Sequence, residues 1–224
     1  MESQHQFSTR KLVDSVAEQQ VLEDLIEGQK PRAEGRIHYL LSTPFRYPPL
    51  RHGSRFGTRV HRGIWYGSEQ QRTSFAEAAY YRMLFLEGTT ADIAPLMVEV
   101  SAFRATYKTE RGVDLTRAPF ATHESTISSP TSYEASQLLG EQMREDGVEA
   151  FRYRSARDRQ RGVNIGMFVP RVFGARRPSA PETWHCVASR PEVEFVKKDV
   201  FQRISFHFPR QDFEVDGKLP SPAV

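Results

Sequence analysis

The sequence has a single cysteine, Cys186, so the chain cannot form an internal disulfide, and a reducing compartment suits it. Residues 1–20 contain no apolar segment of the kind found in secretion signals. No stretch approaches the roughly 18 consecutive apolar residues that a membrane-spanning helix needs. We therefore expect a cytoplasmic protein that does not associate with a membrane.

Several familiar catalytic motifs are missing as well. There is no GxGxxG or Walker loop for a nucleotide cofactor, and no GxSxG elbow for a serine hydrolase. The histidines do not pair at helical spacing, and His185 beside Cys186 in a predicted strand is explained more simply as structural. The sequence therefore predicts neither a metal site nor a resident cofactor.

The composition is that of a folded globular protein. Of its 224 residues, 38% are hydrophobic and 26% are charged, which is too apolar for a disordered chain. Arginine greatly outnumbers lysine, and its planar fork suits phosphate, carboxylate and stacked rings. The net charge of only +3, without an isolated basic run, argues against direct DNA binding.

The pattern of apolar residues divides the chain into three parts. Residues 1–35 read as a helix (8–27) with a linker, residues 36–209 as the main domain, and residues 210–224 as a disordered tail. The domain shows short strands and few helices without regular alternation, which predicts an α+β fold with mainly antiparallel strands. Two local predictions matter below: a strand over 37–41 and a nearly continuous apolar helix over 72–86.

The stretch 45–81 collects cations and aromatic rings around one acid, Glu77, which lies in the apolar helix and is therefore expected to be partly desolvated. A second polar segment, Ser-Ala-Arg, begins at Ser155. Each residue also has a structural explanation: a surface cation, a sheet aromatic, a helix acid that favours the macrodipole, or a hydroxyl at a strand end. Composition and spacing alone support an α+β domain with an arginine-rich anion site. The candidate residues are Arg46, Tyr47, Arg55, Tyr66, Glu77, Ser155 and Arg157.

Taken in order, five segments of the sequence resemble the pattern of the RES-domain family across residues 36–200. The turn in the second segment reads Gly-Ser-Arg-Phe-Gly, where many members carry Gly-Gly-Arg-Trp-Asn. The segments are Arg46-Tyr47, HGSRFG (52–57), GIWYGS (63–68), SFAEAAYYR (74–82) and YRSARDRQRGVN (153–164).

The resemblance implies a fold similar to that of ADP-ribosyltransferases and a toxin of a bacterial toxin–antitoxin pair that degrades NAD+. The acceptor would be inorganic phosphate or water, and the partner an Xre-type antitoxin with a helix-turn-helix part; the oligomeric state is left open. The implied catalytic residues are Glu77, Arg46, Tyr66 and Ser155, and the implied substrate-binding residues are Tyr47, Arg55 and Arg157.

The residue chemistry fits that reaction. Breaking the nicotinamide–ribose bond builds positive charge on the ribose, which a carboxylate such as Glu77 would stabilise. Arginine forks suit the pyrophosphate, and a tyrosine ring suits nicotinamide. Two alternatives remain open: an ADP-ribosyltransferase that modifies a protein, and a non-catalytic module that binds a nucleotide or RNA.

Overall fold

The computed structural model describes residues 18, 21, 37–46, 52–90, 95–179, 181–198 and 203–222. Two compact units divide the chain, residues 1–35 and residues 36–224. Of the first unit only Glu18 and Val21 are described, and both are helical. The rest of the predicted helix 8–27 and the linker after it lie outside the described residues.

The second unit carries all the elements discussed below. Within the described ranges its α-helices are α1 (Tyr39–Arg46), α2 (Gln71–Glu87), α3 (Glu124–Ile127) and α4 (Glu134–Glu145). Its strands are β1 (Trp65–Ser68), β2 (Leu96–Ala102), β3 (Gly112–Asp114), β4 (Ala150–Arg154), β5 (Val163–Met167), β6 (Glu182–Ala188), β7 (Glu192–Lys198) and β8 (Arg203–Pro209). In the same ranges, no helix has the length and apolar character needed to cross a bilayer.

The strands form two four-stranded sheets with the orders β1-β5-β4-β3 and β2-β6-β7-β8. All pairings are antiparallel except that of β3 with β4. This confirms the predicted α+β class with short, mainly antiparallel strands. We call the first sheet the site sheet and the second the core sheet.

Helix α2 packs against both sheets, as its nearly continuous apolar sequence predicts. Toward the core sheet it buries Phe75, whose ring stacks on Phe195 at 4.4 Å and meets Trp184 edge-on at 4.9 Å. Ala79 and Met83 extend the same buried face. The core sheet therefore fixes α2 from one side and leaves its other side for the site sheet.

Successive side chains of a strand point to opposite sides of a sheet, so the two faces of the site sheet pack against different sets of residues. Ile165 and Met167 pack with Phe45 of α1 on one face. Phe151 and Tyr153 pack on the other face, the one that also meets α2. Helix α1 thus lies across the sheet from the face that α2 approaches.

The predicted strand over 37–41 is wrong, since α1 begins at Tyr39 and runs through Pro44. Leu41 and Phe45, four residues apart, lie on one side of this helix, and both are buried. Pro44 lies inside this helix, and Pro48 and Pro49 follow it, which taken alone favours irregular backbone. Burial of two large apolar side chains at helical spacing outweighs that local signal.

The tail was expected to be disordered from residue 210, and the structure corrects this for residues 210–222. Phe213 is buried and contacts Tyr80 and Phe208, and Leu219 packs on the same cluster. The Tyr80 hydroxyl donates to the Pro220 carbonyl at 2.6 Å. The segment is polar in overall composition, but Phe213 and Leu219 pack against residues that are distant in sequence. The local sequence therefore did not predict that the segment is ordered.

Gly140 allows α4 to approach the turn at 52–57 closely. A Cβ atom added there would lie 2.1 Å from the Phe56 carbonyl oxygen, a backbone atom that cannot rotate away. We expect Gly140→Ala to lower the free energy of unfolding by about 1–3 kcal/mol, although alanine is the better helix former. Urea unfolding measures the change.

Gly88→Ala is the matched control, because Gly88 ends α2 with φ −69° and a Cβ there would approach nothing closer than 3.5 Å. Its unfolding free energy should stay within about 1 kcal/mol of the wild type. Equal losses in both variants would contradict the close approach.

Candidate functional site

The Glu77 carboxylate is held by two side chains of the site sheet. Ser155 Oγ donates to Glu77 Oε1 at 2.7 Å, and Asn164 Nδ2 donates to the same oxygen at 2.6 Å. Ser68 Oγ in turn donates to Asn164 Oδ1 at 2.6 Å, which fixes the orientation of the amide. Within the described residues no hydrogen bond reaches Oε2 of this half-buried glutamate. One oxygen is thus anchored by two donors, and the other accepts no hydrogen bond from the described residues.

The loop 155–162 is fastened to the first turns of α2. Ser155 Oγ accepts hydrogen bonds from the backbone N–H groups of Arg157 (3.1 Å) and Asp158 (3.0 Å). Thr73 Oγ1 donates to the buried Asp158 carboxylate at 2.8 Å. A Cβ at Gly162 would lie 2.0 Å from Thr73 Oγ1, so only glycine allows this approach. The loop and the helix that carries Glu77 are therefore positioned as one piece.

Ser155 is among the catalytic residues that the family resemblance implies. In the structure it is fully buried, with 0% of its surface exposed, and its hydroxyl bonds Glu77 and the turn that follows. The structure does place Ser155 and Glu77 together, as expected from the two motifs. The role that the structure shows for Ser155 is to position Glu77 through this hydrogen bond.

Tyrosine side chains surround this carboxylate. Burial raises the pKa of Tyr80 to about 12, and burial likewise raises the pKa of Tyr153 well above its usual value; the Glu77 charge adds to both shifts. The hydroxyl groups of Tyr81 and Tyr133 lie 3.3 Å apart. The raised pKa values keep the phenols of Tyr80 and Tyr153 neutral at physiological pH, so Glu77 lies near uncharged aromatic rings.

Tyr66 anchors the turn at 52–57 to β1. Its hydroxyl lies 3.0 Å from Ser54 Oγ and accepts the backbone N–H of Phe56 at 3.2 Å. Burial raises the pKa of Tyr66 to about 12. Its ring meets that of Tyr153 edge-on at 6.4 Å, which places it at the edge of the tyrosine cluster. The catalytic role predicted for Tyr66 stays a prediction.

Arg55 lies inside the cluster but already has protein partners. Its Nη1 donates to the Ser129 carbonyl at 2.7 Å, and its Cζ lies 4.6 Å from the centre of the Tyr133 ring. The charge of Arg55 opposes the raised pKa of Tyr66 and of Tyr153. Arg55 therefore supplies positive charge near Glu77, and its role in binding substrate stays a prediction.

Arg157 lies over the ring of Tyr80, with Cζ 3.6 Å from the ring centre. Only 2% of its surface is exposed, and neither Nη1 nor Nη2 has a hydrogen-bond partner in the described part of the chain. Tyr80 follows Glu77 by three residues on α2, so the two side chains share a helix face. The structure thus brings Arg157 close to the Glu77 region.

The predicted Arg-Tyr pair is not brought into this cluster by the described contacts. Arg46 ends α1, which packs through Phe45 on the face of the site sheet opposite to Glu77. Tyr47 lies outside the described residues. The roles of both stay predictions.

Sequence reasoning missed residues that the structure makes prominent. Asn164 closes the motif at 153–164, and its position one strand after Ser155 was a usable signal. For Tyr80 the usable signal was its spacing of three residues from Glu77 in the predicted helix. For Asp158 it was the position beside Arg157. Nothing local pointed to Tyr133, since its contacts with Arg55 and Tyr81 join distant parts of the chain.

A cleft of about 520 Å³ opens beside the cluster. Tyr133 belongs to the tyrosine cluster and also lines the cleft, together with His52, Gln137 and Pro222. Glu77 itself does not line the cleft. Among the described residues, no three His, Cys, Asp or Glu side chains are grouped so as to hold a metal ion.

The raised pKa values predict a loss of stability in alkali. A phenol whose pKa is about 12 when folded and about 10 when unfolded stabilises the fold fully below pH 10, and this contribution is lost as pH rises toward 12. Tyr66→Phe should therefore lose less unfolding free energy over that pH range than the wild type. Urea unfolding at a series of pH values measures the difference.

Tyr39→Phe serves as the control, because Tyr39 is half exposed and its hydroxyl can be hydrated in both states. The same pH dependence in the wild type, Tyr66→Phe and Tyr39→Phe would show that burial of Tyr66 does not govern alkaline unfolding.

The chain is similar to a known protein family. A family model described as RES domain matches residues 31–189, more than half of the 224 residues. The matched range contains Glu77, Ser155 and Asn164, whereas β7, β8 and the segment after them lie beyond it. A search of curated proteins found no match.

Proposed function

We propose that this chain, which belongs to the RES-domain family, cleaves the nicotinamide–ribose bond of NAD+ and passes the ADP-ribosyl group to phosphate or water. RES domains are NAD-processing enzyme domains, and the family suggests a toxin- or NAD-related role in general. The observation that supports the specific reaction best is the Glu77 carboxylate, fixed through one oxygen by Ser155 and Asn164 among neutral tyrosines.

The reaction needs negative charge next to the ribose. As the bond from ribose C1 to the nicotinamide nitrogen breaks, its electron pair leaves with nicotinamide, which becomes neutral, and positive charge develops on the ribose. Oε2 of Glu77 would stabilise this charge or accept a hydrogen bond from a ribose hydroxyl. A phosphate oxygen then forms the new bond to C1; with water as acceptor, the water also releases a proton.

The hydrogen bonds on Oε1 supply the preorganisation that such catalysis requires. A carboxylate held by two donors keeps its orientation and need not reorganise as charge develops. Ser155 and Asn164 come from β5 and the loop before it, so the position of Glu77 depends on the packing of α2 on the site sheet.

The phosphates of NAD+ need cations, and we propose Arg55 for this role. Arg55 lies against the ring of Tyr133, and arginine binds phosphate oxygens as a bidentate fork. Arg46 and Tyr47 are proposed as further contacts from the family resemblance alone. The proposed protein partner is a helix-turn-helix antitoxin that restrains the enzyme, again from that resemblance.

Glu77→Gln tests the central step. The amide keeps the size of the side chain but loses its charge, so nicotinamide release from NAD+ should fall by about a hundredfold or more. Release is followed by chromatography with purified protein. Glu87→Gln on the same helix is the control; Glu87 pairs with Arg210, away from the cluster, and its loss should leave turnover near the wild type. Unchanged turnover in Glu77→Gln would sink the proposal.

Products identify the acceptor. With inorganic phosphate present, phosphorolysis yields ADP-ribose 1″-phosphate, whereas hydrolysis yields ADP-ribose whether or not phosphate is present. Label from NAD+ that remains on a protein would indicate transfer to that protein instead.

Removing the hydroxyl or amide that holds Glu77 should reduce catalysis in a graded way. We expect Ser155→Ala and Asn164→Ala to lower kcat by about tenfold each with little change in KM, because each leaves the carboxylate with one donor. Ser68→Ala acts only through Asn164 and should have the smallest effect. A Ser68→Ala loss as large as that of Asn164→Ala would contradict this order.

A further inference from the structure

The loop 155–162 contains three arginines in two different situations. Arg159, which is 64% exposed at its side chain, pairs with Asp212 at 3.2 Å, and Arg161 pairs with Glu124 at 2.5 Å. Arg157 is buried and forms no ion pair with any described residue. The arginine least accessible to water is thus the one without an acidic partner.

A buried guanidinium without a counter-charge is unfavourable, because it has lost its hydration without gaining hydrogen bonds. The adjacent Asp158 does not compensate it. The Asp158 carboxylate accepts hydrogen bonds from Thr73 Oγ1 at 2.8 Å and from the Gln160 N–H at 3.0 Å, and Arg72 Nε lies 3.7 Å from it. The charge of Arg157 therefore calls for another anion.

The orientation of the Arg157 guanidinium restricts which anions can bind it. Tyr80 covers one face of the guanidinium, whereas the N–H bonds of Nη1 and Nη2 lie in its plane and are directed away from the ring. Two parallel N–H donors match two oxygens of one group, as phosphate or carboxylate presents them. Stacking on an aromatic ring holds the fork in place.

We propose that Arg157, stacked on Tyr80, binds a phosphate group one helical turn from Glu77. The use of this phosphate in catalysis rests on the proposed function, whereas the binding of phosphate to Arg157 does not. Glu77 and Tyr80 are three residues apart on α2, so a phosphate on Arg157 lies close to the ribose that Glu77 would contact. The phosphate is either the inorganic acceptor or part of the NAD+ pyrophosphate.

The C-terminal segment 210–222 covers this site. Pro220 accepts the Tyr80 hydroxyl, Phe213 contacts the Tyr80 ring, and Asp212 pairs with Arg159 of the loop. Pro222 then forms part of the wall of the cleft. The segment lies beyond residues 31–189, which the family model matches. Because only 2% of Arg157 is exposed, a phosphate can reach it only after local movement of the residues around it.

The test measures phosphate binding by the full chain without NAD+. Thermal unfolding is followed with increasing inorganic phosphate, against sodium chloride at the same ionic strength. The wild type should gain about 3 °C in Tm at a phosphate concentration tenfold above the dissociation constant. Arg157→Gln should lose this gain, whereas the matched control Arg159→Gln, two residues along the same loop, should keep it.

Two results would overturn the site: no phosphate-specific gain in the wild type, or an equal gain in Arg157→Gln. If Arg157→Gln does not fold, Arg157→Lys replaces it and should bind phosphate at least about tenfold more weakly in calorimetric titration, because the planar fork is lost. Equal affinity of Arg157→Lys and the wild type would reject the site.

A second titration identifies the source of the phosphate. If ADP-ribose competes with inorganic phosphate for Arg157, the site holds the nucleotide pyrophosphate; if both bind together, it holds the acceptor. Both outcomes support the phosphate site. Phosphate binding at Arg157 without nicotinamide release would reject the proposed function alone.

Discussion

The arrangement of the site depends on one pair of hydrogen bonds, those from Ser155 and Asn164 to a single oxygen of Glu77. The donors flank the loop 155–162, and the acceptor lies on a different element, so the bonds form only when α2 is pressed against the site sheet. The stack of Phe75 on Phe195 holds the opposite side of the same helix to the core sheet. Packing in one sheet thereby sets the position of a carboxylate at the other.

This constraint explains which parts of the site the sequence predicted. An acid in a continuously apolar helix must be desolvated and must find partners, and that reasoning identifies Glu77 from the sequence alone. The joint presence of Glu77 and Ser155 followed from two motifs that a family resemblance linked. The partner Asn164 belonged to the same motif, yet no local pattern shows that its amide points at α2.

Long-range packing decided the features that the sequence did not predict. Residues 37–41 looked extended, but Leu41 and Phe45 are buried together from a helix. The three arginines of the loop look alike in sequence, because the partners of Arg159 and Arg161 are Asp212 and Glu124, far along the chain in opposite directions. Only the fold shows that the third arginine has no such partner among the described residues.

The segment after β8 links the stability of the fold to access to the site. Tyr80 of α2 is fully buried: Arg157 lies over its ring, Phe213 contacts the ring, and the Pro220 carbonyl accepts its hydroxyl. Moving the segment away from Tyr80 would break this buried hydrogen bond and expose an aromatic ring, both of which cost free energy. If a phosphate binds Arg157 as proposed, it neutralises a buried charge and so offsets this cost. The balance between the Tyr80 interactions and the proposed phosphate–Arg157 pair would then set how readily the site is filled.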